Sequence, residues 1–540
     1  MSKGTHRRSQ PSRHSPDAVL LYTGLGLLTL ACAAVYGATH LAAWLTGDPA
    51  PPADPWATLF GVLDGTVPWT EQATAALAVL ALLGAAVAAT VLITRRRGAR
   101  RKSRVDDTAR FLGRHTDITP ITTAHATATA ARLGAPTPGV RIGTAVATGK
   151  PVWGTWEDMH IDIWGPRTGK TTSRAIPAIL DAPGAVLVTS NKRDVLDATR
   201  GPRTAAGDVW VFDPQGLAGE TPGWWWDPLT YVTDEVKAAR LAEHFATGSR
   251  PPGARTDAFF DPAGQDVLAA LLLAAACDHR PITDVYRWLS RPTDDTAVDI
   301  LRNAGYPLTA EQLAGHIAAP DRQRGGVFGT AQQMASCLTN RAAAHWVTPT
   351  GPADPRPQFD PHTFVHARHT LYLLSKEGKG SAGPLTTALT VAVIEAAEDH
   401  ARTSPGGRLP TPLLGVLDEA ANVCRWRDLP ELYSHFGSRG IVLMTILQSW
   451  SQGVDVWGES GMRKLWSAAN IAVYGGGVKD PTFLDMLSKL VGDYDKHTRS
   501  VSTGRGHRSV TEHLSRERIM DPADLAALPP GRAVVLASGA

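Results

Sequence analysis

The stretch Ile161–Thr172, IDIWGPRTGKTT, constrains this chain more than any other. It reads as a short apolar strand, a glycine-containing turn, and Gly169-Lys170-Thr171 opening a helix. That order makes a phosphate-binding loop. Successive backbone N–H groups wrap a nucleotide phosphate, and the helix N-terminus adds the positive end of its dipole. The expected binding set is Gly165, Pro166, Arg167, Thr168, Gly169, Lys170, Thr171 and Thr172. Lys170 would reach the β- and γ-phosphates, and the Thr171 hydroxyl would ligate Mg2+. The pattern G-x-x-x-x-G-K-[ST] asks for glycine at position 164, but Trp164 stands there and Gly165 comes one place late. The flanks fit the loop. Met159–Trp164 alternates like a strand, and Ser173–Leu180 continues as a helix that Pro177 must kink or end.

A second motif lies far downstream. In LLGVLDE, Leu413–Glu419, an apolar strand delivers two acids at its carboxyl end, where open α/β sheets bind their ligands. Beside a phosphate-binding loop, Asp418 would hold Mg2+ through water, and Glu419 would orient or deprotonate the attacking water. A further apolar strand, Ile441–Leu447, ends in Gln448, which there would sense the γ-phosphate or position water. The expected catalytic groups are therefore Lys170, Glu419 and Gln448, with Thr171 and Asp418 as the Mg2+ ligands of a P-loop ATPase.

Eight candidate strands alternate with helical segments: Met159–Trp164, Ala185–Thr189, Val209–Phe212, Thr370–Leu374, Leu413–Leu417, Ile441–Leu447, Ile471–Tyr474 and Ala533–Ala537. Near-continuous Val/Ile/Leu runs suit strands covered on both faces, and helical crossovers imply a mostly parallel sheet. Between about 278 and 347 helical periodicity replaces strand signals, which reads as an all-α subdomain inserted in a nucleotide domain over 151–540. Residues 105–150 form a connector ending in a small hairpin.

The N-terminal region has a different character. After a polar, basic tail over 1–17, Val19–Thr39 runs 21 residues without a charge, and Ala73–Thr94 runs 22. Each is long enough, at 1.5 Å per residue, to cross the ~30 Å core of a bilayer. The loop Leu45–Gln72 carries Asp48, Asp54, Asp64 and Glu71 but no Lys or Arg, whereas RRRGARRKSR, Arg95–Arg104, follows the second run. The positive-inside rule then puts both termini in the cytoplasm and the acidic loop outside, as a multi-pass protein of the cell membrane. The basic run either anchors this topology at lipid headgroups or touches DNA.

Over 540 residues, Lys+Arg 54 against Asp+Glu 51 leaves a net charge of only +3. Any nucleic-acid site must therefore be local. Cys32, Cys277, Cys337 and Cys424 are scattered without C-x-x-C, and His362 and His366 have no Cys nearby, so neither a zinc site nor a disulfide framework is expected.

The pieces WGPRTGKTT, VLDEAAN and ILQSWSQ, followed by AANIAVYGGG and LSKLVGD, resemble the coupling proteins of conjugative type IV secretion, the TraG/TraD class of DNA-transfer ATPases. Val188–Val195, Val211–Leu229 and Leu371–Leu385 add smaller echoes, and the resemblance covers roughly 19–540. It implies two N-terminal membrane helices and a RecA-like motor with an all-α subdomain. It also implies an ATP-driven homo-hexamer that passes single-stranded DNA, with its attached relaxase, to a secretion channel. Such a ring needs a cation from the neighbouring subunit at the transferring phosphate. Arg439 is the first candidate and Arg463 the second, each with an ordinary surface role as the alternative. Lys376 and Lys379 would grip DNA from the loop Glu377–Ser381. The triplet Trp224–Trp226 would either stack on bases or pack in the core.

Two rival functions remain. An FtsK-like double-stranded DNA translocase shares the loop and acid pair but usually carries a C-terminal winged-helix reader, which is not seen before Ala540. A docking receptor for secreted proteins would use nucleotide only to switch its assembly state.

Overall fold

The computed structural model of the chain describes residues 16–98, 103–113, 115–250, 256–378, 381–504 and 507–539. Most of the basic tail, residues 99–102 of the run Arg95–Arg104, and Lys379 lie outside them. The chain divides into two compact units, 1–107 with 494–517, and 108–493 with 518–540.

The larger unit is built on its apolar runs. A small antiparallel hairpin, β1 (Val140–Thr144) and β2 (Pro151–Gly154), precedes the main sheet. The sheet strands are β3 (His160–Ile163), β4 (Val186–Ser190), β5 (Val209–Phe212), β6 (Thr370–Leu374), β7 (Leu413–Asp418), β8 (Ile441–Leu447) and β9 (Ile471–Tyr474). The second hairpin, β10 (Asp493–Gly504) and β11 (His507–Arg518), falls almost wholly in the smaller unit, and after it the chain returns to the sheet as β12 (Val534–Ala537). The spatial order is β12-β9-β3-β8-β7-β4-β6-β5. Seven strands are parallel, and β12 runs antiparallel on the edge beside β9. Every residue of β3, β4, β6, β7, β8 and β9 is buried, as both-face covering requires. All eight expected sheet strands are present, most within one residue of their expected ends.

The order matters for function because β8 lies between β3 and β7. The register aligns their carboxyl ends: Ile163 pairs with Leu447, and Asp418 with Ile446. The loop after β3 and the acids ending β7 are thus two strand spacings apart, roughly 10 Å.

Between β5 and β6 the chain is helical, with Glu235–Ser249, Phe260–Cys277, Thr283–Leu289, Thr296–Asn303, Pro307–Ala318, Asp321–Met334 and Arg341–Val347. The stretch expected to be helical over 278–347 belongs to this longer run. Phe260–Cys277 passes the length and hydropathy test for a membrane span, yet more than half of it is buried as a core helix. Trp224 and Trp226 are buried, and Trp224 packs edge-on against Trp210 and Trp346. Core packing therefore explains them, and stacking on bases is ruled out for these two rings.

The segment after the loop departs from a plain helix. Thr171–Ala175 forms a wide π-type turn, and an α-helix restarts at Ile176–Asp181. Pro177 thereby falls in the first turn of a helix, where its missing N–H costs nothing. Arg174 closes the π turn and is fully buried against Asp162 of β3, through Nε to Oδ1 at 2.8 Å and Nη2 to Oδ2 at 3.1 Å. Its Nη1 also donates to the Arg141 carbonyl of β1 at 2.9 Å.

In the smaller unit, helices Pro16–Thr46 and Glu71–Gly98 contain the two uncharged runs, and Gly37 of the first faces Leu80 of the second. The loop between them holds a short helix, Pro55–Leu63, with Asp54 capping its N-terminus and Pro55 in its first turn.

Two outcomes follow from buried titratable groups. Replacing Arg174 by Met leaves Asp162 buried without its counter-ion, and chemical denaturation should show a loss of about 3–5 kcal/mol, against under ~0.5 for the exposed Arg463→Met. His244, in helix Glu235–Ser249, is held down to about 4 by burial, with Glu395 opposing and Arg240 adding to the effect. Below its ordinary value of 6.5 the unfolded chain takes up a proton that the fold refuses, so stability is complete above pH 6.5 and falls as pH drops toward 4. The loss should approach roughly 3 kcal/mol, and His244→Gln should flatten the slope of denaturation midpoint against pH in that window. An unchanged slope would contradict this account of His244.

Candidate nucleotide-binding site

The loop leaves β3 at Trp164, whose backbone N–H donates to the Leu447 carbonyl at 3.0 Å. Gly165 N–H donates to the Gly476 carbonyl at 2.8 Å, and Thr168 Oγ1 to the Gly165 carbonyl at 2.6 Å. Pro166, Arg167, Gly169 and Thr172 are exposed, while Gly165 is buried at the base. The turn needs left-handed backbone twice, at Arg167 (φ 62°) and Gly169 (φ 92°). Gly169 adopts it freely, whereas Arg167 stores strain. Glu419 is strained likewise at φ 56°. Among the described residues, three that are not glycine have positive φ, and two of them flank this one site, as strain held for function does.

Lys170 projects from the end of the loop toward β7. Its Nζ lies 3.0 Å from Asp418 Oδ1 and forms a close ion pair and hydrogen bond with Glu419 Oε1. Gln448 Nε2 donates to both Glu419 oxygens, each at 2.7 Å, and Asn422 Nδ2 donates to Oε2 at 3.2 Å. Asp418 and Glu419 are only 3% and 4% exposed, so these charges interact across little water. Burial alone would lower the Lys170 ammonium's pKa, but Asp418 and Glu419 together raise it. Burial raises the Asp418 carboxyl against the opposing Lys170 charge. Asp418 Oδ1 has no aligned hydrogen-bond donor, because the Lys170 contact is an ion pair without that geometry.

The fold therefore brings Lys170, Asp418, Glu419 and Gln448 together. Asn422 joins them without being among the expected residues; its signal in the sequence is its place three residues beyond Glu419, on the short helix Ala420–Val423. Arg439 is separated from the cluster. It precedes β8, at the end of the sheet opposite Gln448, and pairs with Glu398. Arg463 is exposed and pairs with Glu459 one helical turn away, at 2.9 Å. Lys376 is exposed at the end of β6, with its backbone N–H and C=O both bonded to the Gln215 side chain.

The donors fit a magnesium nucleotide. Among the described residues no group of three or more His, Cys, Asp or Glu forms a metal cage. Mg2+ characteristically takes one or two protein oxygens and completes its shell with phosphates and water, and Asp418, whose Oδ1 has no aligned hydrogen-bond donor, offers an oxygen of the kind it binds.

Residues 412–530 match a family model described as the TraM recognition site of TraD and TraG, TraG-D_C. That segment includes β7, β8, β9 and the hairpin of β10 and β11, but not the loop at 165–172. Among curated proteins, none matches the chain at a significant level. Among solved structures, the unbound bacterial conjugative coupling protein TrwB is 18% identical over 71% of this chain and 82% of its own, with a TM-score of 0.51. TrwB with the ATP analogue ADPNP is 17% identical over 73% and 86%, with a TM-score of 0.51. TrwB with ADP and Mg2+ is 17% identical over 71% and 82%, with a TM-score of 0.50. The sheet and its helices thus have the fold of TrwB, and the TraG-D_C segment together with that fold supports the type IV coupling proteins as the family this chain resembles.

Proposed function

We propose that this chain is a membrane-anchored P-loop ATPase that couples ATP hydrolysis to the transfer of DNA into a type IV secretion channel during conjugation. The observation that carries this reading is the contact of Lys170 with Asp418 and Glu419, with Gln448 on Glu419, at the carboxyl ends of adjacent parallel strands. The structural likeness to a coupling protein solved with ADPNP and with ADP and Mg2+ supports the choice of ligand.

In this reading the backbone of 165–172 holds the phosphates, and Lys170 leaves Glu419 to meet the β- and γ-oxygens. Thr171 and Asp418 would hold Mg2+, which when bound would neutralise charge on the transferring phosphate. Freed from Lys170, Glu419 accepts the proton of the attacking water while Gln448 keeps its carboxylate oriented. A neighbouring subunit of a homo-hexamer supplies the remaining cation. Arg439 and Arg463 are the candidates, and the place of Arg439 before β8, at the far end of the sheet from the cluster, suits a residue that acts across an interface. Helices Pro16–Thr46 and Glu71–Gly98 span the membrane as a hairpin, with the motor and both termini in the cytoplasm. The substrate is single-stranded DNA with its relaxase. The 412–530 segment, whose family model is named for TraM recognition, is the docking surface for the relaxosome. A double-stranded DNA translocase of the FtsK kind and a nucleotide-switched docking receptor remain the rival readings.

Lys170→Ala should abolish binding of a fluorescent ATP analogue. Glu419→Gln should still bind it while turnover falls by about 10²–10⁴. Normal binding by the first variant would remove the nucleotide site, and normal turnover by the second would remove the base. For the native chain in detergent, single-stranded DNA should stimulate phosphate release more than duplex DNA. Stimulation by duplex alone would favour the translocase, and stimulation by neither would favour the receptor.

A further inference from the structure

The loop pattern asks for glycine at 164, and the chain has the largest side chain instead. Trp164 is 3% exposed, and its ring lies directly over Gly475, the first residue after β9. A Cβ built on Gly475 would stand 1.9 Å from Trp164 Cε3 and 2.0 Å from Cδ2. No side chain at 475 is compatible with the indole where it sits. The indole N–H donates to Asp162 Oδ1 at 3.2 Å, the same oxygen that accepts from Arg174 Nε. One ring therefore touches both flanks of the loop: the strand that enters it and, through Asp162, the turn that closes it.

The triglycine run Gly475–Gly477 continues the contact. Gly475 N–H donates to the Ile163 carbonyl at 3.0 Å, and the Gly476 carbonyl accepts from Gly165. A Cβ on Gly165 would meet the Gly477 carbonyl oxygen at 2.2 Å, and one on Gly477 would meet Thr168 Cγ2 at 2.5 Å. The run is a floor beneath the phosphate-binding backbone, and the indole sets its height.

We propose that Trp164 is a positioning residue for nucleotide binding, that Gly475 is its necessary counterpart, and that the pair replaces the missing first glycine of the loop. This rests on the reading of 164–172 as a nucleotide site. Restoring the glycine that the pattern requires should then harm the site, because it removes the wedge between loop and floor and takes one donor from Asp162.

The test is a double-variant cycle on the full chain in detergent, read by the Kd for a fluorescent ADP and by KM and kcat for ATP. Trp164→Gly and Gly475→Ala should each weaken binding by about 10-fold, and the double variant by well under the ~100-fold that independent sites would give. Trp164→Phe keeps a smaller aromatic ring and loses the donor. It should weaken binding about threefold and raise KM with kcat within about twofold of native. Unfolding temperatures without nucleotide accompany each Kd, since a purely structural role would lower them and leave the Kd of folded protein unchanged. Trp164→Gly binding as tightly as native, multiplicative costs, or an unchanged Kd in Trp164→Phe would each overturn the proposal. Should the first two variants fail to fold, Trp164→Phe decides. Native protein that does not bind the probe overturns the nucleotide site itself, whereas native binding with multiplicative costs overturns only the Trp164 pairing.

Discussion

Lys170 meets Asp418 and Glu419 because β8 lies between β3 and β7 and their carboxyl ends are level. Two strand spacings are about what a lysine side chain and a carboxylate span together. A different strand order, or a slip in register along β8, would carry the acids out of reach. Most of the larger unit can be understood as securing that separation. The strands are buried throughout, so register is fixed by core packing, and Arg174 pins the turn after the loop back onto the strand before it. Burial also sets the chemistry. It makes Asp418 costly to ionise and Glu419 dependent on its partners, so the cluster responds to whatever charge enters beside it.

Under the proposed function, that coupling would give a physical route from binding to turnover. While Lys170 and Gln448 both hold Glu419, its carboxylate is fully engaged. In the proposed reading, a phosphate that draws Lys170 away would leave Gln448 and Asn422 as the remaining donors to Glu419. The backbone strain at Arg167 and Glu419 lies on the two sides of this gap, where small shifts in either loop change the Lys170 contacts.

Much of this was legible in the sequence for plain reasons. The sheet strands are short apolar runs between turn residues, and the acid pair and Gln448 each end such a run. Part of the rest has no local signature. The hairpin of β10 and β11 is polar on both faces (DYDKHTRSVSTG and HRSVTEHLSRER), so it shows no hydrophobic alternation. The short helix Pro55–Leu63 does carry a signal, the N-cap Asp54 followed by Pro55. The Arg174–Asp162 pair reverses across a turn, and the seating of Trp164 on Gly475 joins residues 311 positions apart, so neither follows from spacing. Arg439 was named because it stands close to Gln448 in sequence, but the length of β8 puts the two at opposite ends of the sheet. That separation takes Arg439 out of its own chain's cluster and leaves it in an ion pair with Glu398.

The central claim is that a nucleotide is clasped between the loop at 165–172 and the acids of β7. An experimental structure of the full chain with a non-hydrolysable ATP analogue and Mg2+ tests it most directly. The account expects the triphosphate along the backbone of 165–172, Lys170 Nζ within ~3.2 Å of a β- or γ-phosphate oxygen, and Glu419 released from Lys170. A triphosphate bound elsewhere, with Lys170 still paired to Asp418 and Glu419, would contradict it.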